Sequence, residues 1–334
     1  MGNEEGPGAD LWERADLVTP MAIRVAATLH VADHIAAGVR TSAELARSEG
    51  VDADALDRLL RHLVSVGVLT RDGEGTYSLS TSGESLRDDH PSGTRDALDL
   101  ERAVGRAELA FTDLLHSVRT GEAAFPARFG RSFWDDLSAD PERAASYASQ
   151  MGSDVAAWAP AILAARDWGS LGHVVDVGGG GGSLMVALLQ AYPRLRVTVV
   201  DLPDPVEAAR AALETAGLAD RGEAVVGSFF EALPPDAGAY LLCAILHDWN
   251  DEAARAILRR CAEAAGSKGL VLVVEKVGPD GETVRTEMDL RVLAYFGGRE
   301  RGVIEIGELA ADAGLRLRAV HPSGDLSVLE LSGP

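Results

Sequence analysis

The sequence predicts an α/β chain in which a mostly helical N-terminal region precedes a doubly wound, seven-stranded sheet ending in an antiparallel hairpin. Three observations carry this. From His173 onward, short β-branched runs alternate with Ala/Leu-rich helical stretches. The last two runs are separated only by Pro322 to Asp325, too short for a parallel crossover. Before His173, apolar residues fall at helical spacing with one brief extended exception. The 334 residues allow about two domains of ordinary size, so a single small module is excluded.

In order along the chain, MAIRVAATLHVADHIAAG reads as one amphipathic helix ending near Gly38. Thr41-Ser42-Ala43-Glu44 is a capping box opening a short helix. Asp54 to Val66 forms another, with Leu56, Leu59, Leu60, Leu63 and Val64 on one face. Gly67 to Thr70 and Thr76 to Leu79, joined through Asp72-Gly73-Glu74-Gly75, read as a hairpin. Together these make a winged helix-turn-helix. AVGRAELAFTDLLHSVRTG and PERAASYASQMGSDVAAWAPAILAAR are read as two further helices. The strands are HVVDV (173–177), RVTVV (196–200), EAVVG (223–227), YLLCAI (240–245), LVLVVEKV (270–277), RLRAVH (316–321) and LSVLEL (326–331). The expected division is a winged-helix dimerisation domain at 1–93, a helical connection at 94–166 that contributes to a substrate pocket, and a ligand-binding domain at 167–334.

Composition narrows the function. Lys and Arg number 31 against 52 Asp and Glu, a net charge of −21 that repels polyphosphates and anionic lipid. The helix that would enter a DNA groove offers Arg58, Arg61 and His62 but also Asp52, Asp54 and Asp57, and the wing carries Asp72 and Glu74. Packing or dimerisation is the better reading of this module than nucleic-acid binding. MAIRVAATLHVADHIAAG and the Leu56/Leu60/Leu63 face are expected to need a partner surface, as in a homodimer. Two cysteines, Cys243 and Cys261, offer neither a disulfide framework nor zinc-ligand spacing. No secretory signal and no membrane-length apolar run occur, so a cytoplasmic protein is expected.

The chemistry gathers behind the first sheet strand. Five glycines, Gly178 to Gly182, follow Asp176 and Val177 and open a helix, so backbone can approach a ligand closely and free N–H groups point at it. The nicotinamide fingerprint fails, because Ser183 or Leu184 falls where its third glycine belongs. Asp201 ends the second strand, 25 residues beyond Asp176, where an acid accepts ribose hydroxyls; capping the next helix is its structural alternative. No P-loop lysine follows the glycines, so a nucleoside without polyphosphate fits, and S-adenosylmethionine has that character.

DVGGGGGSL, VTVVDLP, VVGSFFEALP, AILHDWNDEAARAILRRC and AYFGGRER, in this order behind a winged helix, resemble the S-adenosylmethionine-dependent O-methyltransferases of plant phenolic and actinobacterial natural-product metabolism. The resemblance runs from about Leu11 to Leu331 and rests most on LHDWND and GGRER. It implies a Rossmann-like methyltransferase sheet, S-adenosylmethionine as cofactor and a homodimer. It also implies cofactor contacts from Asp176, Gly178, Gly180, Gly182, Asp201, Leu202, Ser228, Phe229, Cys243 and Trp249, with Phe229 and Trp249 flanking the adenine. His247 is implied as general base, with Glu275 and Glu300 orienting it. Ser228 stands where plant members tend to have Asp, and Cys243 where they often have a Lys near the cofactor carboxylate, a cation that a thiol does not replace.

The residues support the same assignment independently. His247 follows the fourth strand and Glu275 lies near the end of the fifth, at the edge where open α/β sheets bind ligands. Glu300, between Arg299 and Arg301, has an ion-pair role as its alternative. Asp248 and Asp251 are read as helix-opening residues rather than metal ligands, so a metal-independent reaction is expected. Phe133, Trp134, Met151, Tyr295 and Phe296, near Phe125 and Phe129, suggest a flat apolar wall for a phenolic or polyketide acceptor, with core packing as their alternative. Competing readings are a relative on the same fold turned to hydroxylation or decarboxylation, and a ligand-sensing regulator.

Overall fold

The computed structural model describes residues 9–277, 281–282 and 285–333, and its contacts divide the chain into two units rather than the three segments set out above. One comprises residues 1–109 with 140–147, the other residues 110–139 with 148–334.

In the first unit, helices Val18–Thr28, Val31–Ala36, Ser42–Glu49 and Ala53–Ser65 precede the hairpin β1 (Leu69–Arg71) and β2 (Tyr77–Leu79), paired antiparallel. The capping box forms: Glu44 N–H donates to Thr41 Oγ1 at 3.3 Å, and Thr41 N–H to Glu44 Oε2 at 3.3 Å. Asp52 caps the fourth helix through Ala55 N–H, Asp72 closes the hairpin turn through Glu74 and Thr76 N–H, and Asp57 accepts from the Tyr77 hydroxyl. Several acids that argued against DNA therefore have local structural work.

Two helix expectations are corrected. The segment ending near Gly38 is two helices, broken at His30, whose φ of 44° is left-handed. The apolar spacing continues across the break because both helices bury the same core, with Ala26, Ala27, Val31, Ala32 and Ile35 all covered. The segment 103–121 likewise splits into Ala103–Glu108 and Leu114–Thr120, separated by a 3₁₀ stretch at Leu109–Asp113 that coincides with the boundary between units. A third correction concerns Leu56, Leu60 and Leu63, which are fully used inside this unit's own core and need no partner.

The second unit holds all seven expected strands: β3 (His173–Val177), β4 (Arg196–Asp201), β5 (Gly222–Val226), β6 (Ala239–Cys243), β7 (Leu270–Glu275), β8 (Arg316–Ser323) and β9 (Leu326–Ser332). Their order is β5-β4-β3-β6-β7-β9-β8, with β9 antiparallel to both neighbours. Two apolar layers cover the sheet. One packs Leu184, Met185, Leu188 and Trp168 on Val174, Val199 and Leu272; the other packs Ile257, Leu258, Ile306 and Leu309 on Val175, Tyr240 and Val273. The strand order changes direction between β3 and β6, which opens a crevice at their carboxyl ends.

Candidate active site

The glycine run turns the chain off β3 with alternating left-handed backbone: φ is 75° at Gly178, 56° at Gly180 and 78° at Gly182. At Gly178 the left-handed φ would strain any side chain, and its Cβ would stand 2.6 Å from Ile245 Cδ1, which would have to shift, and 3.4 Å from Phe229, whereas nothing lies within 4 Å of one at Gly180. Gly180 N–H donates to Asp201 Oδ2 at 2.8 Å and Leu202 N–H to Oδ1 at 2.7 Å. Leu202, not Asp201, stands at the N-cap of helix Pro203–Ala216, so Asp201 faces the glycine turn and not the helix. Burial raises its pKa, and those two N–H groups oppose the rise. Leu202 itself is exposed.

Asp176 lies beneath this turn, buried, with Oδ2 lacking any hydrogen-bond partner. Burial first, and then the charge of Asp201, push it up to about 7. Cys243 ends β6 opposite Val274; burial, with Asp176 and Glu275 adding to it, raises its thiol well above the usual range and keeps it neutral. Ser228 Oγ accepts from Phe230 N–H at 3.2 Å. Phe229 and Trp249 meet edge to face, ring centroids 5.6 Å apart and planes at 77°. An orphaned buried carboxyl oxygen, a turn with room for a backbone-hugging ligand, a carboxylate with spare lone pairs and two flat rings fit a nucleoside.

β6 stops two residues before the sequence suggested, because Ala244 adopts φ 54° and a 3₁₀ turn, Leu246–Asp248, carries His247 over the edge. His247 Nδ1 lies 3.3 Å from Glu275 Oε2 and 3.3 Å from Glu300 Oε1, and Nε2 lies 3.4 Å from Asp248 Oδ1. Neither contact at Nδ1 is aligned as a full hydrogen bond; charge from Glu275 and Asp248 leads the coupling, and Glu300 adds a hydrogen-bonding approach. Burial alone depresses the imidazole pKa, but Glu275, Asp248 and Glu300 together outweigh it and raise it to about 10. Burial also lifts Glu275, and lifts Asp248 to about 7 against the pull of His247.

GGRER explains why LHDWND needs a partner motif. Arg299 N–H donates to His247 O at 2.8 Å, and a Cβ on Gly298 would stand 2.2 Å from that same oxygen. The buried Arg301 guanidinium donates to Leu246 O at 2.8 Å, Trp249 O at 2.7 Å and Asp251 Oδ1 at 2.9 Å. The sequence reading missed Arg301 as a clamp. Of the two acids read as opening a helix, Asp251 does open Asp251–Ala265, with Asn250 as its cap, while Asp248 is corrected: it is buried beside the imidazole. Glu300 turns to His247 while Arg299 pairs with Glu305 and Arg301 with Asp251.

The aromatic residues gather as one cluster. Trp134 stacks on Phe296 at 5.2 Å and on Trp249 at 6.4 Å, both near parallel. Phe133 is buried against Phe125 and Phe296, so it backs the cluster, and Tyr295 is nearly buried. Trp134, Phe296 and Met151 keep partial exposure.

A doubly wound sheet with a nucleoside-shaped glycine turn and a carboxylate-bound imidazole on one edge defines a group-transfer enzyme. The chain matches the O-methyltransferase domain over residues 111–316 and the O-methyltransferase dimerisation domain over residues 12–88. It is 57% identical to the 2,7-dihydroxy-5-methyl-1-naphthoate 7-O-methyltransferase of Streptomyces carzinostaticus, over 95% of this chain and 96% of that one. It is 44% identical to the aclacinomycin 10-hydroxylase RdmB of Streptomyces purpurascens, over 95% of this chain and 88% of that one. Among solved structures, the O-methyltransferase NcsB1 from neocarzinostatin biosynthesis, in complex with S-adenosylmethionine and 2-hydroxy-5-methyl naphthoic acid, superposes with TM-score 0.92 at 56% identity, covering 97% of this chain and 98% of that one. The chain belongs to the S-adenosylmethionine-dependent O-methyltransferase family.

Proposed function

We propose that this enzyme methylates a hydroxyl of a bicyclic aromatic acceptor of the hydroxynaphthoate kind, with His247 as general base and no metal in the step. The observation that carries the reading is the imidazole held at 3.3 Å from both Glu275 and Glu300 on the edge beside the glycine turn. Gly178, Gly180, Gly182 and Asp201 would hold the nucleoside, with Asp176, Leu202, Ser228, Cys243, Phe229 and Trp249 around it. S-adenosylmethionine supplies an electrophilic sulfonium methyl. His247, with a proton affinity near that of a phenol, takes the hydroxyl proton at little free-energy cost, and Glu275 and Glu300 stabilise the imidazolium that results. Trp134 and Phe296, with Met151, give a flat acceptor a stacking surface, and positioning against that surface supplies much of the rate.

The first unit is read as the homodimer contact. Leu11 and Trp12 are 69% and 75% exposed, and Leu17 and Val18 lie exposed beside them, an apolar surface within the part of the chain that matches the dimerisation domain. The similarity to a 10-hydroxylase favours a second reading, oxygen insertion on the same scaffold. Incubation with S-adenosylmethionine labelled in its methyl group and a panel of hydroxynaphthoates separates the two. Label in the product, with stoichiometric S-adenosylhomocysteine, supports methyl transfer; product that gains oxygen without label refutes it.

A further inference from the structure

The chain contains only two lysines, Lys268 and Lys276. Lys276 directly follows Glu275 at the carboxyl end of β7, on the face of Val274, which pairs across β6 with Cys243. Its Nζ lies 4.4 Å from the ring centroid of Trp158, on the long helix Pro141–Ala165. Asp154 stands one turn earlier on that helix. Two residues before it, at Gly152, a Cβ would meet Ser183 Oγ, just past the glycine turn, at 3.3 Å. From Gly152 to Trp158 a helix advances about 9 Å, matching the roughly 9.5 Å that separates strands two apart in a sheet. The helix thus runs between the glycine turn and Lys276, with Asp154 on the stretch between those two contacts.

Lys276 and Asp154 lie close enough to shift each other's pKa, yet neither forms an ion pair or hydrogen bond among the described residues. Burial lowers the ammonium pKa and raises the carboxyl pKa, so each is partly desolvated without a paired opposite charge, Lys276 resting only on the Trp158 ring. The neighbouring arginines are committed: Arg301 to three backbone carbonyls and Asp251, Arg299 to Glu305, Arg291 to Glu287 and Arg166 to Glu330. Arg285 is exposed.

We propose that Lys276 and Asp154 bind the amino-acid end of S-adenosylmethionine, Lys276 taking its carboxylate and Asp154 its ammonium group. Lys276 thereby supplies, from the adjacent strand and the same face, the cation that Cys243 lacks. Two opposite charges held near each other but not closed together are the complement of a zwitterion.

The test is titration calorimetry of the full-length protein with S-adenosylhomocysteine and with 5′-methylthioadenosine, which keeps the nucleoside and thioether but lacks the amino-acid end. Lys276→Met is expected to weaken S-adenosylhomocysteine about 10- to 100-fold, the usual worth of one charge-assisted contact, with methylthioadenosine changed less than about twofold. Asp154→Asn is expected to act in the same selective sense, and Lys276→Arg to retain most of the affinity. Methylthioadenosine binding doubles as the check that each variant is folded. Equal losses for both ligands, no loss for either, selective loss in only one of the two charge-removing variants, or a raised acceptor KM with S-adenosylhomocysteine affinity unchanged overturns the assignment.

Discussion

Replacing Glu275 by Gln tests whether His247 acts as a base and what sets its strength. The Gln carbonyl can still accept the Leu246 N–H that Glu275 Oε1 now accepts at 2.9 Å, so the turn carrying His247 keeps its support. What disappears is a negative charge 3.3 Å from Nδ1. At an effective dielectric of about 20 that separation is worth about 5 kcal/mol, or about 3.5 pH units of imidazole affinity. Burial raises the pKa of Glu275 and so opposes its ionisation, which makes that figure a ceiling; the shift of His247 is downward and smaller. The sign follows from the protonation state a base requires. His247 is raised to about 10, so its neutral form accumulates only as pH climbs well above the ordinary imidazole value, and the rising limb of kcat/KM lies there. Glu275→Gln lowers that affinity, so the limb moves to lower pH, while the plateau rate falls because the base is weaker. The assay is methyl transfer to two hydroxynaphthoates of different hydroxyl pKa, followed from about pH 6 to about pH 10. A limb that stays put in the variant, or that tracks the acceptor hydroxyl and ignores the mutation, would refute the role given to this cluster.

His247→Ala is expected to cut turnover by about 10²- to 10⁴-fold with S-adenosylhomocysteine affinity nearly unchanged, and the loss should shrink for acceptors whose hydroxyl is already ionised; wild-type turnover at pH 7 contradicts this. Asp201→Ala is expected to weaken cofactor binding roughly 10- to 100-fold in a folded protein, since ribose contacts to a carboxylate are worth about 1.5–3 kcal/mol each before water recovers part; calorimetry checks it. Asp176→Asn concerns stability: the folded pKa of about 7 lies above the unfolded value, so the folded state binds the extra proton and wild-type stability declines as pH rises from about 4 to about 7. The Asn variant should therefore gain on wild type by about 4 kcal/mol at pH 8 and little at pH 4, and a urea-midpoint difference equal at both pH values contradicts the assignment. Trp12→Glu should turn a dimer of twice 35.1 kDa into monomers by light scattering.

Much of the fold was legible because each strand is a short β-branched run whose ends are marked by turn residues, and all seven runs became strands. The antiparallel finish followed from the length of one connection. The misplacements share a cause. Helical periodicity reports which residues face the core, and two helices that serve one core keep the pattern through a break, as at His30. Likewise the end of β6 at Cys243 depends on a left-handed alanine, Ala244, that no composition or spacing announces. At the site, the sequence placed His247, Glu275 and Asp201 through their positions at strand ends. It did not place Arg301, because a guanidinium clamping backbone carbonyls arises only when segments about 50 residues apart meet, and it read Asp248, the sequence neighbour of His247, as opening a helix when the tight turn buries it beside the imidazole.

The acidity of this edge follows from the charge that the reaction moves. In the proposed reaction the cofactor's sulfonium would bring one positive charge, and after transfer the proton taken from the acceptor would make His247 an imidazolium. Glu275, Glu300 and Asp248 therefore face one positive charge at the start and one at the end, displaced from sulfur to imidazole, and the buried cluster never has to change its net charge. Burying three carboxyl groups around one histidine is costly when no cation is present, which is why burial drives Asp248 and Glu275 toward holding protons. A cation in the crevice reverses that tendency. In the proposed reaction Asp248 and Glu275 are thus set to ionise when the cofactor is bound, and in that state they raise the proton affinity of His247 as the acceptor hydroxyl needs a base.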